Sequence, residues 1–277
     1  MQVMMMTGSK IGEKSDGNEK SKRFNIVKKM HCGSMLKSNP SFFWNYWKRM
    51  VDRHRLDKPD IEHFSIAKIS EASKSFLEIT HDIRGLSIAA GTPESKVIET
   101  YGSIDSYSCM KCRKKFEKKY VDEKKDTPRC DNFNNSCNGI LRPDTVLLGE
   151  SSRIDHIKEA QKFLIESDLI IIAGTEIEFD YQTFLVEEAI RYGKPILYIG
   201  ENASPFSGNL MNIDINLNVV DLIKTIQVDF SKASSEVISL IESFELIESG
   251  EVAKEDVLDR IKEITSVIYR KIESKGP

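Results

Sequence analysis

The chain has 277 residues, a formal net charge of −3, 40% hydrophobic and 30% charged residues, and 15 Gly with 8 Pro. These proportions exclude a collagen-like or wholly disordered chain and leave room for one large domain with insertions or two modest ones. No apolar run approaches the ~18 residues of a membrane-spanning helix, and Met1–Met6 is too short and too poor in basic residues for a signal peptide; a cytoplasmic protein is the expectation.

In chain order, Val3–Thr7 followed by Gly8 reads as an opening strand. Residues 31–75 read as helical, with Phe42, Phe43, Trp44, Tyr46 and Trp47 behind Pro40 as an aromatic cluster expected in a core. Phe76–Thr80, Thr145–Leu148, Asp168–Gly174 and Pro195–Gly200 are short apolar runs of the kind that form buried parallel strands. Ile154–Ile165 and Gln182–Tyr192 are amphipathic, and Gly193 with Pro195 ends the second. The alternation predicts an α/β, doubly wound Rossmann-type domain, which binds ligands at the carboxyl ends of its strands. From residue 229 two helical periods follow, Val237/Leu240/Ile241/Phe244 and Val257/Ile261/Ile264/Ile268, in a stretch with 11 acidic and 7 basic residues.

Five cysteines occur, and four of them lie within 29 residues: Cys109, Cys112, Cys130 and Cys137. A Cys-x2-Cys pair and a Cys-x6-Cys pair 17 residues apart can present four thiolates tetrahedrally to a structural Zn²⁺. The second gap is longer than the usual spacing. Disulfides are the alternative, which a reducing compartment disfavours. Full thiolate coordination leaves no open position, so such a metal holds the fold and does not catalyse. Lys111–Lys125 carries 8 basic and 3 acidic residues, which solvated surface charge explains more simply than a nucleic-acid site, since no aromatic-interleaved motif accompanies it.

Taken together, these pieces resemble the sirtuin family of NAD-dependent protein deacylases. The similarity is densest over Ile98–Glu150: Ile98-Glu99-Thr100-Tyr101-Gly102-Ser103, the two cysteine pairs, and Gly139-Ile140-Leu141-Arg142-Pro143-Asp144-Thr145-Val146-Leu147-Leu148-Gly149-Glu150. Thr80-His81-Asp82-Ile83-Arg84-Gly85-Leu86 is similar to the family's Thr-Gln-Asn-Ile-Asp-Gly-Leu, with Pro59-x3-His63 before it and Asp168 to Thr175 matching the strand that ends in Gly-Thr-Ser. The resemblance covers roughly residues 3–228. It implies one domain over 1–228, with a Rossmann-type core at 1–30, 76–108 and 140–228, a helical module at 31–75 and a zinc module at 109–139, followed by an acidic helical extension at 229–277. It further implies NAD⁺ in the cleft, and an acylated peptide lying as an added strand beside Val146, Leu147, Leu148 and Gly149.

The family's catalytic His, which deprotonates the nicotinamide ribose, corresponds to Tyr101. A phenol near pH 10 is a poor base at neutral pH, and general-base catalysis contributes ~10²–10⁴-fold. In the ribose loop the family's Gln, Asn and Asp correspond to His81, Asp82 and Arg84. Gly8 is kept at the first phosphate turn while Lys10 replaces a Gly. On the adenosine side Gly174 and Thr175 are kept, the next Ser is Glu176, and Gly200 stands where the family has an Asn. The expectation is therefore a zinc-containing sirtuin-fold protein with a weakened NAD⁺ site and an impaired or lost deacylase reaction, acting by binding a nucleotide or a protein. The alternative is a working NAD-consuming deacylase, ADP-ribosyl transferase or NAD hydrolase in which Asp82 steadies ribose charge. A third reading is a zinc-ribbon nucleic-acid binder.

Overall fold

The computed structural model describes residues 2–8, 33–121, 126–131, 137–147, 149–151, 153–173, 175, 180–200 and 223–227. The strands are β1 (Gln2–Thr7), β2 (Ser75–Thr80), β3 (Val97–Glu99), β4 (Gly102–Cys109), β5 (Lys115–Glu117), β6 (Leu141–Thr145), β7 (Leu169–Ala173), β8 (Ile196–Gly200) and β9 (Ile223–Gln227). The α-helices are α1 (Gly33–Ser38), α2 (Pro40–His54), α3 (Ile61–Ala72), α4 (Leu86–Ala89), α5 (Ile154–Glu166) and α6 (Asp180–Arg191).

Six strands form one parallel sheet in the order β3-β2-β1-β7-β8-β9. The order reverses between β1 and β7, where Thr7 pairs with Ala173, so the crevice beyond those two residues is the expected ligand position. Alternation along the strands divides the sheet's two faces. Met4, Met6, Leu77, Ile79, Ile170 and Ile172 pack against Ala160 and Leu164 of α5 and Leu185, Val186 and Ala189 of α6. By the same alternation Met5, Thr7, Phe76, Glu78 and Thr80 point to the opposite face. Each of these residues is buried. This is the doubly wound core that the apolar runs predict.

A second sheet, β5-β4-β6, is antiparallel. It corrects the sequence reading at Thr145–Leu148, expected as a parallel strand. The strand runs over Leu141–Thr145 and pairs antiparallel with β4, and Val146 and Leu147 lie beyond it. The apolar run was a poor guide because Leu147 is buried in the core shared by the small sheet and the aromatic helix, not between two flanking layers of helices.

That aromatic helix is α2. Asn39 caps it, its side chain accepting from the Phe42 N–H at 3.1 Å, and Pro40 opens it. Phe43, Trp44, Trp47 and Val51 join Ile104, Tyr107, Phe116 and Leu141 in one core with the cysteines. Phe43 stacks on Trp47 at 6.0 Å, and the Trp44 indole N–H donates to the Leu141 carbonyl at 3.1 Å. The expected core role of the cluster holds for Phe43, Trp44 and Trp47, while Phe42 is 45% exposed. The acidic extension at 229–277, with both of its helical periods, lies outside the described residues.

Candidate cofactor cleft and metal centre

Strand β4 begins where Gly102 turns the chain out of the parallel sheet with φ +77°. A Cβ there would lie 1.9 Å from the Asp144 carbonyl oxygen, so only glycine lets β4 close on β6 at this point. Tyr101 is therefore fixed at the junction of the two sheets, its carbonyl accepting the Val146 N–H at 2.9 Å. Its ring packs edge-on against Tyr181 of α6 at 6.2 Å and stands 6.4 Å from the His81 ring. The Tyr181 hydroxyl is held by Thr100 Oγ1 at 3.1 Å, and burial pushes that phenol up.

His81 follows β2, and its ring lies on Gly8. A Cβ on Gly8 would sit 2.1 Å from His81 Cε1, so any larger residue at the end of β1 would displace the imidazole. Asp82 and Arg84 form a closed unit: the guanidinium donates from Nε to Oδ1 at 2.8 Å and from Nη2 to Oδ2 at 3.0 Å. Its Nη1 reaches Asp57 at 2.8 Å, beyond the end of α2. The Arg84 hydrogen bond holds the Asp57 carboxyl below its usual range. The two charge changes that look disruptive in the sequence thus compensate each other, and Asp57 is the partner that no local signal could have revealed. Thr175 lies across the crevice, its hydroxyl accepting from Gln182 at 3.0 Å and its carbonyl from the Tyr198 hydroxyl at 3.4 Å. Gly200 ends β8. Lys10, Leu148, Gly174 and Glu176 lie outside the described residues.

The segment after β6 is braced by a residue pair that sequence reading did not assign. Arg142 grips Glu150 with two bonds of 2.6 and 2.7 Å, and the same carboxylate accepts the Leu147 N–H at 3.0 Å. Burial would raise the Glu150 carboxyl, but these bonds outweigh it and hold it below its usual range. Gly149 has φ +87°, and Leu147 is buried. On the far side of Gly102, a cavity of about 1200 Å³ runs beside β3, walled by Arg84, Glu99, Asp144, Arg153 and His156 among others, and not by Tyr101 or His81.

The four thiols converge. Their sulfurs lie within 4.8 Å of one another, with Cys109–Cys137 at 3.6 Å and Cys112–Cys130 at 3.7 Å, and none is in a disulfide. A tetrahedron with metal–sulfur bonds of ~2.3 Å has edges of ~3.8 Å, so the spacing fits Zn²⁺. Lys111 and Cys112 backbone N–H groups donate to Cys109 Sγ at 3.3 and 3.4 Å, the kind of bonds that support bound thiolates. The Lys114 backbone lowers the Cys112 thiol to about 6. Cys109, Cys112, Cys130 and Cys137 would hold the metal, which would supply cross-linking of the β4–β6 module.

Comparison with known proteins follows the same lines. The Sir2 family profile matches residues 17–180. An NAD-dependent protein deacetylase of Clostridium tetani is 30% identical over 176 residues, 62% of this chain and 67% of the relative. A Sir2 homologue with a His-to-Asn substitution, in complex with ADP ribose, superposes with TM-score 0.71 at 18% identity, covering 90% of this chain and 95% of that one. A Sir2 with a His-to-Tyr substitution, solved with a p53 peptide and NAD, superposes with TM-score 0.65 at 24% identity, covering 86% and 92%. The chain belongs to the Sir2 family, whose curated relatives here are NAD-dependent protein deacetylases, and it has the sirtuin fold. No helix among the described residues is long and apolar enough to cross a membrane.

Proposed function

We propose that this protein is a zinc-stabilised sirtuin-fold binder of NAD⁺ or a related ADP-ribose nucleotide, with little or no lysine-deacylase activity. The observation that carries this reading is the placement of Tyr101. The resemblance aligns Tyr101 with the family's base, and its ring is flanked by His81 at 6.4 Å and Tyr181 at 6.2 Å. A phenol there can donate a hydrogen bond to a ribose hydroxyl but is a weak acceptor of its proton. Gly8, Lys10, His81, Asp82, Arg84, Gly174, Thr175 and Gly200 are the residues we assign to the nucleotide. Val146, Leu147, Leu148 and Gly149 are those we assign to an acylated peptide or other protein segment. The division into a Rossmann-type core, helical module, zinc module and acidic extension is part of the same proposal. So is a cytoplasmic location, on the strength of a four-thiol site that a reducing compartment keeps available.

Two neighbours combine a substituted histidine with a bound nucleotide, which supports retention of binding. A His-to-Tyr Sir2 was solved with NAD and peptide, and a His-to-Asn homologue with ADP ribose. The alternative, in which Asp82 steadies an oxocarbenium-like ribose, is weakened by the bidentate Arg84 already on that carboxylate. The deciding assay is nicotinamide release from NAD⁺ by the metal-loaded protein, with and without an acetyl-lysine peptide. The expected result is release no faster than in the absence of protein. Peptide-dependent release would establish a working deacylase, and peptide-independent release an NAD hydrolase.

A further inference from the structure

Glu78 is a carboxyl group in the middle of β2 with 0% exposure. Its register partner on β1 is Met5, and by alternation it points to the face covered by α3 and α4. One oxygen, Oε1, accepts from Thr7 Oγ1 at 2.6 Å and from Ser87 Oγ at 2.8 Å. The other, Oε2, is fully buried and has no hydrogen-bond partner among the described residues. An orphaned carboxylate oxygen in a dry site costs far more if charged than if it carries the proton. Among the described residues, Asp82 of the following loop opposes its ionisation and His63 of α3 favours it, and Glu99 of β3 lies close enough to interact. Burial raises the pKa of this carboxyl.

The two hydroxyls that Glu78 holds do not belong to one element. Thr7 is the last residue of β1, immediately before the glycine on which His81 rests. Ser87 lies in α4, just past the 81–85 loop that carries His81, Asp82 and Arg84. We propose that Glu78 is a positioning residue, whose buried carboxylic acid ties the end of β1 to the 81–87 segment and thereby sets the width of the ligand cleft. The proposal rests on the reading of that cleft as a nucleotide site. Its consequence is that ionisation of Glu78 spreads the two segments, because the charged group must draw in water.

The test uses the full chain and two variants. Glu78→Gln keeps the shape and both accepting bonds but cannot ionise, and Glu78→Leu removes the bonds. Hydrogen exchange of amides 82–87, corrected for intrinsic rates, is followed from pH 6.5 to 9 without ligand. At pH 6.5 Glu78→Gln should match the natural protein within about threefold, while Glu78→Leu exchanges about tenfold faster, the loss expected for one or two buried hydrogen bonds. As pH rises, the natural protein should lose about tenfold in protection and Glu78→Gln should stay flat. Glu99→Gln, which removes the neighbouring acid, should still show the natural response. Equal protection in the natural protein and both Glu78 variants overturns the proposal, and so does a pH response that survives in Glu78→Gln. Should Glu78→Leu fail to fold, the comparison of Glu78→Gln with the natural protein decides alone. In parallel, ADP-ribose is titrated at both pH values, and affinity should fall about tenfold in the natural protein only. Affinity that stays constant while exchange changes overturns the link to cleft width. Absence of ADP-ribose binding at every pH refutes the nucleotide reading and leaves the clamp to be judged on exchange.

Discussion

Under the proposed function, Tyr101, Asp82 and Arg84 set the chemistry available in the cleft. Tyr101 is held by Gly102 and by the Val146 bond, so a histidine there would inherit the same position. It would also meet a loop whose polar groups are already spent on one another. Tyr101→His alone is therefore expected to leave lysine deacylation below about 1% of an active sirtuin's rate, given the ~10²–10⁴-fold typical of a working base. The check is acetyl-peptide turnover by mass spectrometry; full activity from that single change would sink the account of the loop. Arg84→Ala strips the guanidinium from Asp82, 6% exposed, and leaves it the backbone N–H of residue 84. Removing one partner of such a pair costs about 3 kcal/mol, seen as a lower midpoint in urea unfolding. Restoration by Arg84→Lys should be partial, since an ammonium cannot reproduce the forked contact.

Among the elements, the zinc module and the aromatic helix act as one body, because Trp44 reaches the carbonyl of Leu141, the register partner of Cys109, in the same core. Metal removal by chelation, or Cys112→Ser, should unfold β4–β6 and release that packing. The expected signs are about one equivalent of zinc lost per chain, a fall in Tm of about 10 °C or more and a collapse of the near-UV tryptophan signal. An unchanged spectrum after complete metal loss would contradict a structural role. At this scale the sequence was informative where patterns are local. The β1, β7 and β8 runs are chiefly apolar on both faces because helices cover both faces, and with β2 they are found within a residue or two. The cysteine spacing marked the metal centre for the same reason, since four thiols in 29 residues have few other uses. Strand β6 was missed because Leu141-Arg-Pro-Asp-Thr alternates with a proline and two charges, and its pairing with β4 crosses the whole cysteine module. Partners distant in sequence were equally hidden: Asp57 on Arg84, Tyr181 on Tyr101, and Thr7 with Ser87 on Glu78.

For the whole molecule, the junction of the two sheets concentrates buried acids on one side of the parallel sheet. Glu99 is raised to about 7 by burial first, then by Asp82, Glu94 and Glu78. Its native state binds a proton more tightly than the unfolded chain does, so stability is greatest below pH ~4.5 for this group. It is then lost as pH rises through about 7. The size is on the order of 3 kcal/mol, and Glu99→Gln should flatten the decline in Tm between pH 5 and 8. An identical slope in that variant would assign the decline elsewhere. Under the proposed function the nucleotide lies in the crevice beyond β1 and β7, with Gly8 and Thr175 beside it and Tyr101 in place of a base. Calorimetric titration of the metal-loaded protein with NAD⁺ and then ADP-ribose tests the central claim directly, because one trace reports both binding and turnover. The account predicts saturable micromolar binding of both ligands, with heat that stops at saturation. A flat trace with both, or a continuing heat of NAD⁺ consumption, would contradict it.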